Sequence, residues 1–242
     1  MSEYQDVIQI IALTLGVAWA SGLNLYAAVA ALGLGGATGY VDLPPTLEML
    51  QDPLVILGAG FMYCVEFMAD KIPGVDSGWD ALHTFIRIPA GAVLAAGAVG
   101  DVAPALSVAA GLLGGTVTAV SHATKASSRL LINASPEPFS NWAASLAEDL
   151  AVFAGLWAAL NHPVLFLLAF IAFVGLVCWL LPKLWKGIGG LLRKIGGWLG
   201  MAGDAKTKRL AELQRLADSG LLTETELSNV RARLVLSSAS ST

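Results

Sequence analysis

Long apolar runs separated by short polar segments make up the first three quarters of the chain. The clearest run, residues 163–181, has no charged residue and ends before Pro182. It has the roughly 20 residues needed to cross about 30 Å of hydrocarbon. Residues 102–121 form a second run, and residues 52–68 form a third that is apolar up to Glu66. These runs predict membrane-spanning helices.

Three other segments are apolar but interrupted. Residues 7–19 continue through Ser21-Gly22-Leu23-Asn24 into a stretch rich in Gly and Ala that ends near Gly36, which predicts a broken or re-entrant helix. Residues 79–99 and 142–160 are helical by pattern, but each carries charge in its first half. We expect them to line a polar interior or to begin below the membrane surface. The whole pattern predicts an all-α polytopic membrane helical bundle with about six spans in residues 1–182.

Small residues recur in these segments, including Gly91, Ala95, Gly111 and Gly114. In lipid, small side chains let helix backbones approach closely. Their pattern therefore predicts tight helix packing.

The last quarter of the chain has a different pattern. Residues 183–203 alternate apolar and basic side chains, which predicts an amphipathic interfacial helix in the cytoplasmic headgroup layer. Residues 204–236 predict a small helical hairpin, in which Thr223 and Glu226 form a capping box, and residues 237–242 a disordered tail. The run LAELQRLADSGLLTETELSNVRARLV resembles the short C-terminal domain (SHOCT). That resemblance implies oligomerisation or contact with a protein partner.

Composition agrees with a bilayer as the solvent, because 56% of the 242 residues are hydrophobic and only 13% are charged. Residues 1–182 hold 4 of the 14 Lys and Arg but 13 of the 18 acids. Lys183, Lys186, Arg193 and Lys194 follow the last apolar run, which predicts a cytoplasmic C-terminus. We expect a multi-pass protein of the bacterial inner membrane without a removed signal peptide. Nucleic acid is not expected as a partner.

Charged residues of the apolar region concentrate around two loops that contain Pro. An ionised side chain at bilayer depth costs a few kcal/mol, so it normally faces a partner, water or a solute. Helical spacing places Asp76, Asp80, His83 and Arg87 on one stripe, and His122, Lys125 and Arg129 on another. The predicted substrate or ion pathway comprises Asn24, Tyr26, Glu66, Asp70, Lys71, Asp76, Asp80, His83, Arg87, His122, Lys125, Arg129, Asn133, Glu137, Asn141, Glu148 and Asp149.

Two interpretations of these charges remain open. Buried acid–base pairs can simply hold a bundle together and fix its register. Carboxylates outnumber basic groups, however, and an unpaired buried carboxylate becomes a proton carrier or a cation ligand. Asn24 and Tyr26 could add neutral ligands or could bond helix to helix.

A weak internal repeat is indicated between residues 60–79 and 115–142. Each runs from a Gly through an apolar helix and a Pro-containing loop to a Ser-x-Trp-x-Ala start. The alternative is that small-residue membrane helices resemble one another by composition alone.

Three runs, SGLNLYAAV, EFMADKIPGVDSGWDALHTFIR and HATKASSRLLINASPEPFSNWAASLAED, are similar to the bacterial membrane-protein family described as domain of unknown function 4126. The resemblance covers about residues 10–180. It implies that the polar loops are the signature of the family, and it implies no reaction or substrate.

Three functions follow from these observations. A transporter or channel for a small ion or solute, proton-coupled through its carboxylates, is favoured. A membrane enzyme acting on lipid or isoprenoid phosphate is second, but the chain has no nucleophile motif, no phosphate-binding loop and no recognised metal motif. Glu66, Asp70, Asp76 and Asp80 could nonetheless hold Mg²⁺. A scaffold that recruits partners through the C-terminal hairpin is third. We expect no cofactor, leave a metal site open, and expect a homo-oligomer in contact with the lipid bilayer.

Overall fold

The computed structural model describes residues 2–134, 138–198, 213–217 and 219, and within them it contains helices and turns but no strand. This confirms the predicted all-α bundle. A 3-10 helix at Pro45–Gln51, which the sequence pattern did not predict, precedes α2. The α-helices are α1 (Ser2–Ala37), α2 (Pro53–Ala69), α3 (Val75–Ala98), α4 (Pro104–Ile132), α5 (Pro138–Asn161) and α6 (Pro163–Trp198).

Proline sets the start of four of these helices. α2, α4, α5 and α6 each begin at a Pro, whose missing N–H would have no partner in a first helical turn anyway. The carboxylate of Asp52 also caps α2 by accepting from the backbone N–H of Leu54 at 2.8 Å. α3 instead follows Gly74, whose φ of +87° suits a residue without a side chain.

Among the described residues, five helices are long and apolar enough to cross a membrane: Tyr4–Ala37, Val75–Ala98, Pro104–Ile132, Phe139–Asn161 and Pro163–Gly190. A sixth is added when the 3-10 helix and α2, which meet at an angle of 68°, count as one span. By length and composition the number agrees with the prediction of about six.

α1 is broken at Asn24, where φ is −150° and ψ is 97°. Its two ends reach the same part of α5: Gln9 donates to the carbonyl of Leu160 at 2.7 Å, and Trp157 donates to the hydroxyl of Tyr40 at 3.2 Å. A straight helix would separate residues 9 and 40 by more than about 40 Å. α1 therefore doubles back at Asn24 as a re-entrant hairpin, with a first arm (residues 2–23) and a second arm (residues 25–37).

The bundle has two ends, which we name by what they hold. The loop face carries the α2–α3 turn (residues 70–74) and Asn133 at the end of α4, and the opposite face carries Tyr40 and His162. α6 runs from the opposite face, where Phe166 packs on Trp19, to the loop face, where Gly187 lies against Leu131. α2 and α4 also run towards the loop face, whereas α3 and α5 run away from it.

The α1 hairpin lies at the centre and packs against α2, α3, α4 and α5. The most extensive contact between helices joins α3 and α4, where small residues were predicted to pack. A Cβ added to Gly114 would lie 2.1 Å from the Cβ of Ala95, and one added to Gly91 would lie 2.1 Å from Thr118 Oγ1. Only glycine fits at these two points of contact.

The chain divides into two compact units, Met1–Ile188 and Gly189–Thr242. α6 continues through Pro182 to Trp198, so the predicted boundary at residue 182 coincides with no helix end. In the second unit the end of α6 and a helical turn at residues 213–217 are described. Most of the predicted hairpin (204–236) and the whole of the predicted tail (237–242) lie outside the described residues and stay predictions.

Candidate functional site

Seven ionised side chains from four helices meet inside the loop-face half of the bundle. We call them the ion-pair cluster: Glu66, Asp70, Asp80, Glu148, Arg87, Lys125 and Arg129. Six of the seven side chains are at most 3% exposed, and Glu148 is 17% exposed. The two stripes predicted from helical spacing therefore face each other across α3 and α4, together with the end of α2 and the first half of α5.

Lys125 is at the centre of the cluster. Its ammonium lies 2.9 Å from Asp70 and 3.2 Å from Glu66, and within 4 Å of both Asp80 and Glu148. One cation thus touches all four carboxylates, so its charge is shared and none of the four is neutralised by Lys125 alone.

Arg87 joins α3 to α2 and α4. Its guanidinium donates to Glu66 at 2.5 Å, to Asp80 at 3.2 Å and to Nδ1 of His122 at 3.1 Å. Because arginine only donates, Nδ1 of His122 must accept, which places the imidazole proton on Nε2. Nε2 lies 2.8 Å from the hydroxyl of Thr84 and 3.1 Å from the carbonyl of Asp80. His122 is a neutral link between α4 and α3.

Arg129 links three elements at the loop face. Its Nε and Nη2 atoms bind both oxygens of Glu148, at 3.2 and 2.6 Å, a fork geometry that lysine cannot reproduce. Its Nη1 donates to the carbonyl of Asp70 at 3.0 Å and to the side chain of Asn141 at 2.8 Å. Arg129 therefore joins α4 to α5 and to the α2–α3 turn.

The tip of α1 closes the cluster from the other side. The break at Asn24 leaves the carbonyl of Leu23 without its helical partner, and this oxygen accepts from Lys125 at 3.0 Å and from Arg87 at 3.4 Å. The side chain of Asn24 caps the second arm by accepting from the N–H of Ala27 at 3.0 Å, and its amide donates to Asp149 at 3.1 Å.

A second polar chain connects the two turns of the loop face. Asp76 accepts from the amide of Asn133 at 2.7 Å and from the backbone N–H groups of Gly74 and Ser77. Asn133 in turn accepts from Asn141 at 3.2 Å, and Asn141 binds Arg129. The Asp76 carboxylate is fully hydrogen-bonded and positions the turns.

Three of the described pathway residues, Lys71, His83 and Tyr26, are not joined to the cluster. Lys71 is half-buried, donates to the carbonyl of Phe67 at 3.0 Å and lies over that ring. Burial lowers the pKa of its ammonium, whereas the carboxylates of Asp149 and Asp70 act to raise it. His83 stacks on Trp79 and meets Tyr26 edge to face. Glu137 lies outside the described residues.

Several carboxylate oxygens of the site have no hydrogen-bond partner although they are buried: one each on Glu66, Asp70, Asp80 and Asp149. Four carboxylates of the cluster face three cations, so the cluster carries one negative charge when all are ionised, and Asp149 beside it adds a second. Such a charge in an apolar bundle is stabilised by bound protons, water or a cation.

Metal binding was left open, with Glu66, Asp70, Asp76 and Asp80 considered for Mg²⁺. Within the part of the chain that the structure describes, no group of three or more His, Cys, Asp and Glu side chains is arranged to hold a metal ion. The carboxylates instead separate around Lys125 and Arg87, each of which takes oxygens that a cation would need.

Sequence reasoning missed two participants, the Thr84 hydroxyl and the Leu23 carbonyl. Thr84 stands four residues after Asp80 and therefore on the same helix face, a signal that was available. The Leu23 carbonyl becomes an acceptor only because α1 breaks at the next residue, so the break itself was its sole signal.

Fold and site together define a multi-pass helical membrane protein with a buried network of ionised side chains. The model of the family described as Domain of unknown function (DUF4126) matches residues 11–183, and the chain belongs to this family. No curated protein and no solved structure matches the chain. The family match contains every described residue of the site.

Proposed function

We propose that this protein is a transporter or channel for a small ion or solute, coupled to protons through the ion-pair cluster and Asp149. The observation that carries the proposal is the excess of buried carboxylates over basic groups, with four carboxylate oxygens left without a partner. A network that only held helices together would not be expected to contain more carboxylates than basic groups, because unpaired buried charge destabilises a fold.

The broken helix supports the same proposal. In transporters, discontinuous helices bring free backbone carbonyls and helix ends to a site near the middle of the bilayer. The tip of α1 brings the Leu23 carbonyl and the Asn24 side chain to the cluster in this way. In this conformation Lys125 and Arg87 both donate to the Leu23 carbonyl, so we assign it to a closed state.

Orientation follows from the positive-inside rule. α6 reaches the loop face near Lys183 and Lys186, since the next residue, Gly187, lies against Leu131, and basic residues at the end of a span remain in the cytoplasm. The loop face, with the partly exposed Glu148, is then cytoplasmic, and the opposite face lies outside the bacterial inner membrane.

The enzyme alternative requires basic groups that are free to bind phosphate. Arg87, Lys125 and Arg129 are each bound to carboxylates, so this conformation offers no such group within the cluster. Phosphate released from lipid extracts by the purified protein would favour an enzyme nonetheless.

The test is flux in proteoliposomes loaded with a pH-sensitive dye, with Na⁺, K⁺ and Cl⁻ gradients imposed in turn. We expect flux that depends on pH and is lost in Asp80→Asn and Glu148→Gln. Asp101→Asn, at an exposed position after α3, is the matched control and should retain it. The absence of flux in the wild-type protein under every gradient would contradict the proposal.

Truncation distinguishes a scaffold role from transport. Deletion of residues 204–242 should leave flux unchanged if the membrane bundle is the functional part. A cellular phenotype that is lost on this deletion, but kept when Asp80 and Glu148 are neutralised, would instead identify a scaffold.

A further inference from the structure

Asp149 differs from the four carboxylates of the ion-pair cluster. It is 8% exposed, and in the described part of the chain no Lys or Arg nitrogen lies within the 4.0 Å ion-pair limit of its oxygens. One oxygen accepts from the Asn24 amide and the other has no hydrogen-bond partner within 3.5 Å, while the Tyr63 hydroxyl faces the carboxylate. Asp149 is therefore buried, has one carboxylate oxygen without a hydrogen bond (its open oxygen), and forms no ion pair with a described Lys or Arg.

Its position is also distinctive. Asp149 lies eleven residues into α5, about 16 Å from the start of that helix, so it is deeper in the bundle than Asp70 or Glu148. Of the described carboxylates, it is the one that hydrogen-bonds the tip of α1. A change in its charge acts directly on the residue at which α1 reverses.

The surroundings of Asp149 are mixed in charge. Groups that face it are Asn24 from α1, Tyr63 from α2, Asp70 and Lys71 from the α2–α3 turn, and Lys125 from α4. Lys71 and Lys125 are cations and Asp70 is an anion, so Asp149 lies among groups of both signs. Opposing influences of this kind suit a group that changes its protonation state during a cycle.

We propose that Asp149 is the residue that binds the coupling proton and that Asn24 transmits its protonation state to the tip of α1. This inference rests on the proposed function. A proton adds to the open carboxylate oxygen, and no other covalent bond forms or breaks. The neutral carboxyl is a weaker acceptor for the Asn24 amide, so the tip is released from α5 when the proton is bound.

Two variants separate the roles. Asp149→Asn keeps the shape and an acceptor oxygen but cannot bind a proton. Asn24→Ser keeps a helix cap for the second arm, since Ser and Asn cap almost equally well, but loses the amide that reaches Asp149. Asp101→Asn is the control for loss of a carboxylate elsewhere.

The first measurement is infrared spectroscopy of the full-length protein in lipid across a pH titration. Exposed carboxylates also gain protons as the pH falls, so the signal is the difference between the wild-type and variant titrations. We expect a carboxylic C=O component that is missing in Asp149→Asn and retained in Asn24→Ser, whereas Asp101→Asn removes only the component of an exposed carboxylate. The same component present in Asp149→Asn, or missing in Glu148→Gln instead, would overturn the assignment.

The second measurement is backbone hydrogen exchange at residues 22–28, corrected for the intrinsic effect of pH on exchange. Wild-type protein should exchange faster at low pH, whereas Asp149→Asn and Asn24→Ser should show no pH-dependent step. A step that survives in Asn24→Ser would remove Asn24 from the proposal.

These outcomes are distinguishable from failure of the proposed function. If the wild-type protein gives no flux but the band and the exchange step behave as expected, the proton site stands and transport does not. If flux depends on pH and is unchanged in Asp149→Asn, transport stands and this inference is wrong.

Discussion

Lys125 has more acceptors than its three protons can serve, since four carboxylates and the Leu23 carbonyl surround one ammonium. Such an arrangement holds only while the positive charge is present. A buried group whose partner is removed keeps its desolvation penalty and gains nothing in return.

Replacement of Lys125 by Met should therefore destabilise the protein by about 3–5 kcal/mol, as expected for breaking a buried charge network. Equilibrium unfolding in detergent measures the change. Lys71→Met is the matched control, because Lys71 is half-buried outside the cluster, and it should cost less than about 1 kcal/mol. Equal losses in the two variants would contradict a central role for Lys125.

Arg129 gives a second prediction at this scale. Lysine carries the same charge but cannot bind both oxygens of Glu148 while also reaching Asn141 and the Asp70 carbonyl. Arg129→Lys should lower the unfolding free energy by about 2–3 kcal/mol, in the range for lost hydrogen bonds to charged groups. Arg215→Lys, at an exposed position in the C-terminal unit, should leave it unchanged within error.

Among the helices, α1 shows how far sequence patterns reach. The Ser21-Gly22-Leu23-Asn24 segment predicted a break because small and polar residues interrupt an apolar run, and the structure breaks at Asn24. The direction of the second arm did not follow from the sequence. It depends on the hydrogen bonds that join Gln9 to Leu160 and Tyr40 to Trp157, whose partners on α5 lie more than a hundred residues later in the chain.

α4 continues further than its apolar pattern indicates. Its apolar run ends near residue 121, but the helix continues to Ile132 because His122, Lys125 and Arg129 find partners on α2, α3 and α5. Helical spacing correctly placed these side chains on one face. Their partners could not be assigned, because pairing depends on how helices are rotated and shifted relative to one another.

Gly22 tests how closely α1 packs on α4. A Cβ added there would lie 2.5 Å from the Cβ of Ser121 and 2.6 Å from the carbonyl of Thr118, and the carbonyl cannot move freely. Gly22→Ala should cost about 1–3 kcal/mol through overpacking. Gly58→Ala, where nothing lies within 4 Å, should be neutral or should stabilise α2 by up to about 1 kcal/mol. Thermal unfolding in the same detergent compares the two.

For the whole molecule, the re-entrant hairpin fixes the topology. Tyr4, Thr38 and Asp101 should be accessible from one side of the membrane and Ile72 from the other, all four being exposed. A straight first span would place Thr38 on the side of the membrane opposite Tyr4.

Single-cysteine variants at these four positions, in a background with Cys64 and Cys178 replaced by Ala, test the arrangement with a membrane-impermeant maleimide. In right-side-out vesicles Tyr4→Cys, Thr38→Cys and Asp101→Cys should be labelled, and in inverted vesicles Ile72→Cys. Labelling of Tyr4→Cys and Thr38→Cys from opposite sides would show that α1 crosses the membrane.

The predicted internal repeat and the homo-oligomer stay predictions at this scale. In both α2–α3 and α4–α5 the two helices of the pair make few contacts with each other, and α1 lies between them. The likeness in arrangement is compatible with a repeat. The Ser-x-Trp-x-Ala motifs differ in use, because Trp79 stacks on His83 whereas Trp142 is 52% exposed.

The central place of α1 has a consequence for biogenesis. This segment is synthesised before the helices that enclose it, α2 to α5. Its polar tip has none of its final partners until Lys125 and Asp149 have been made. The hairpin therefore reaches its final contacts only after the later helices have assembled around it.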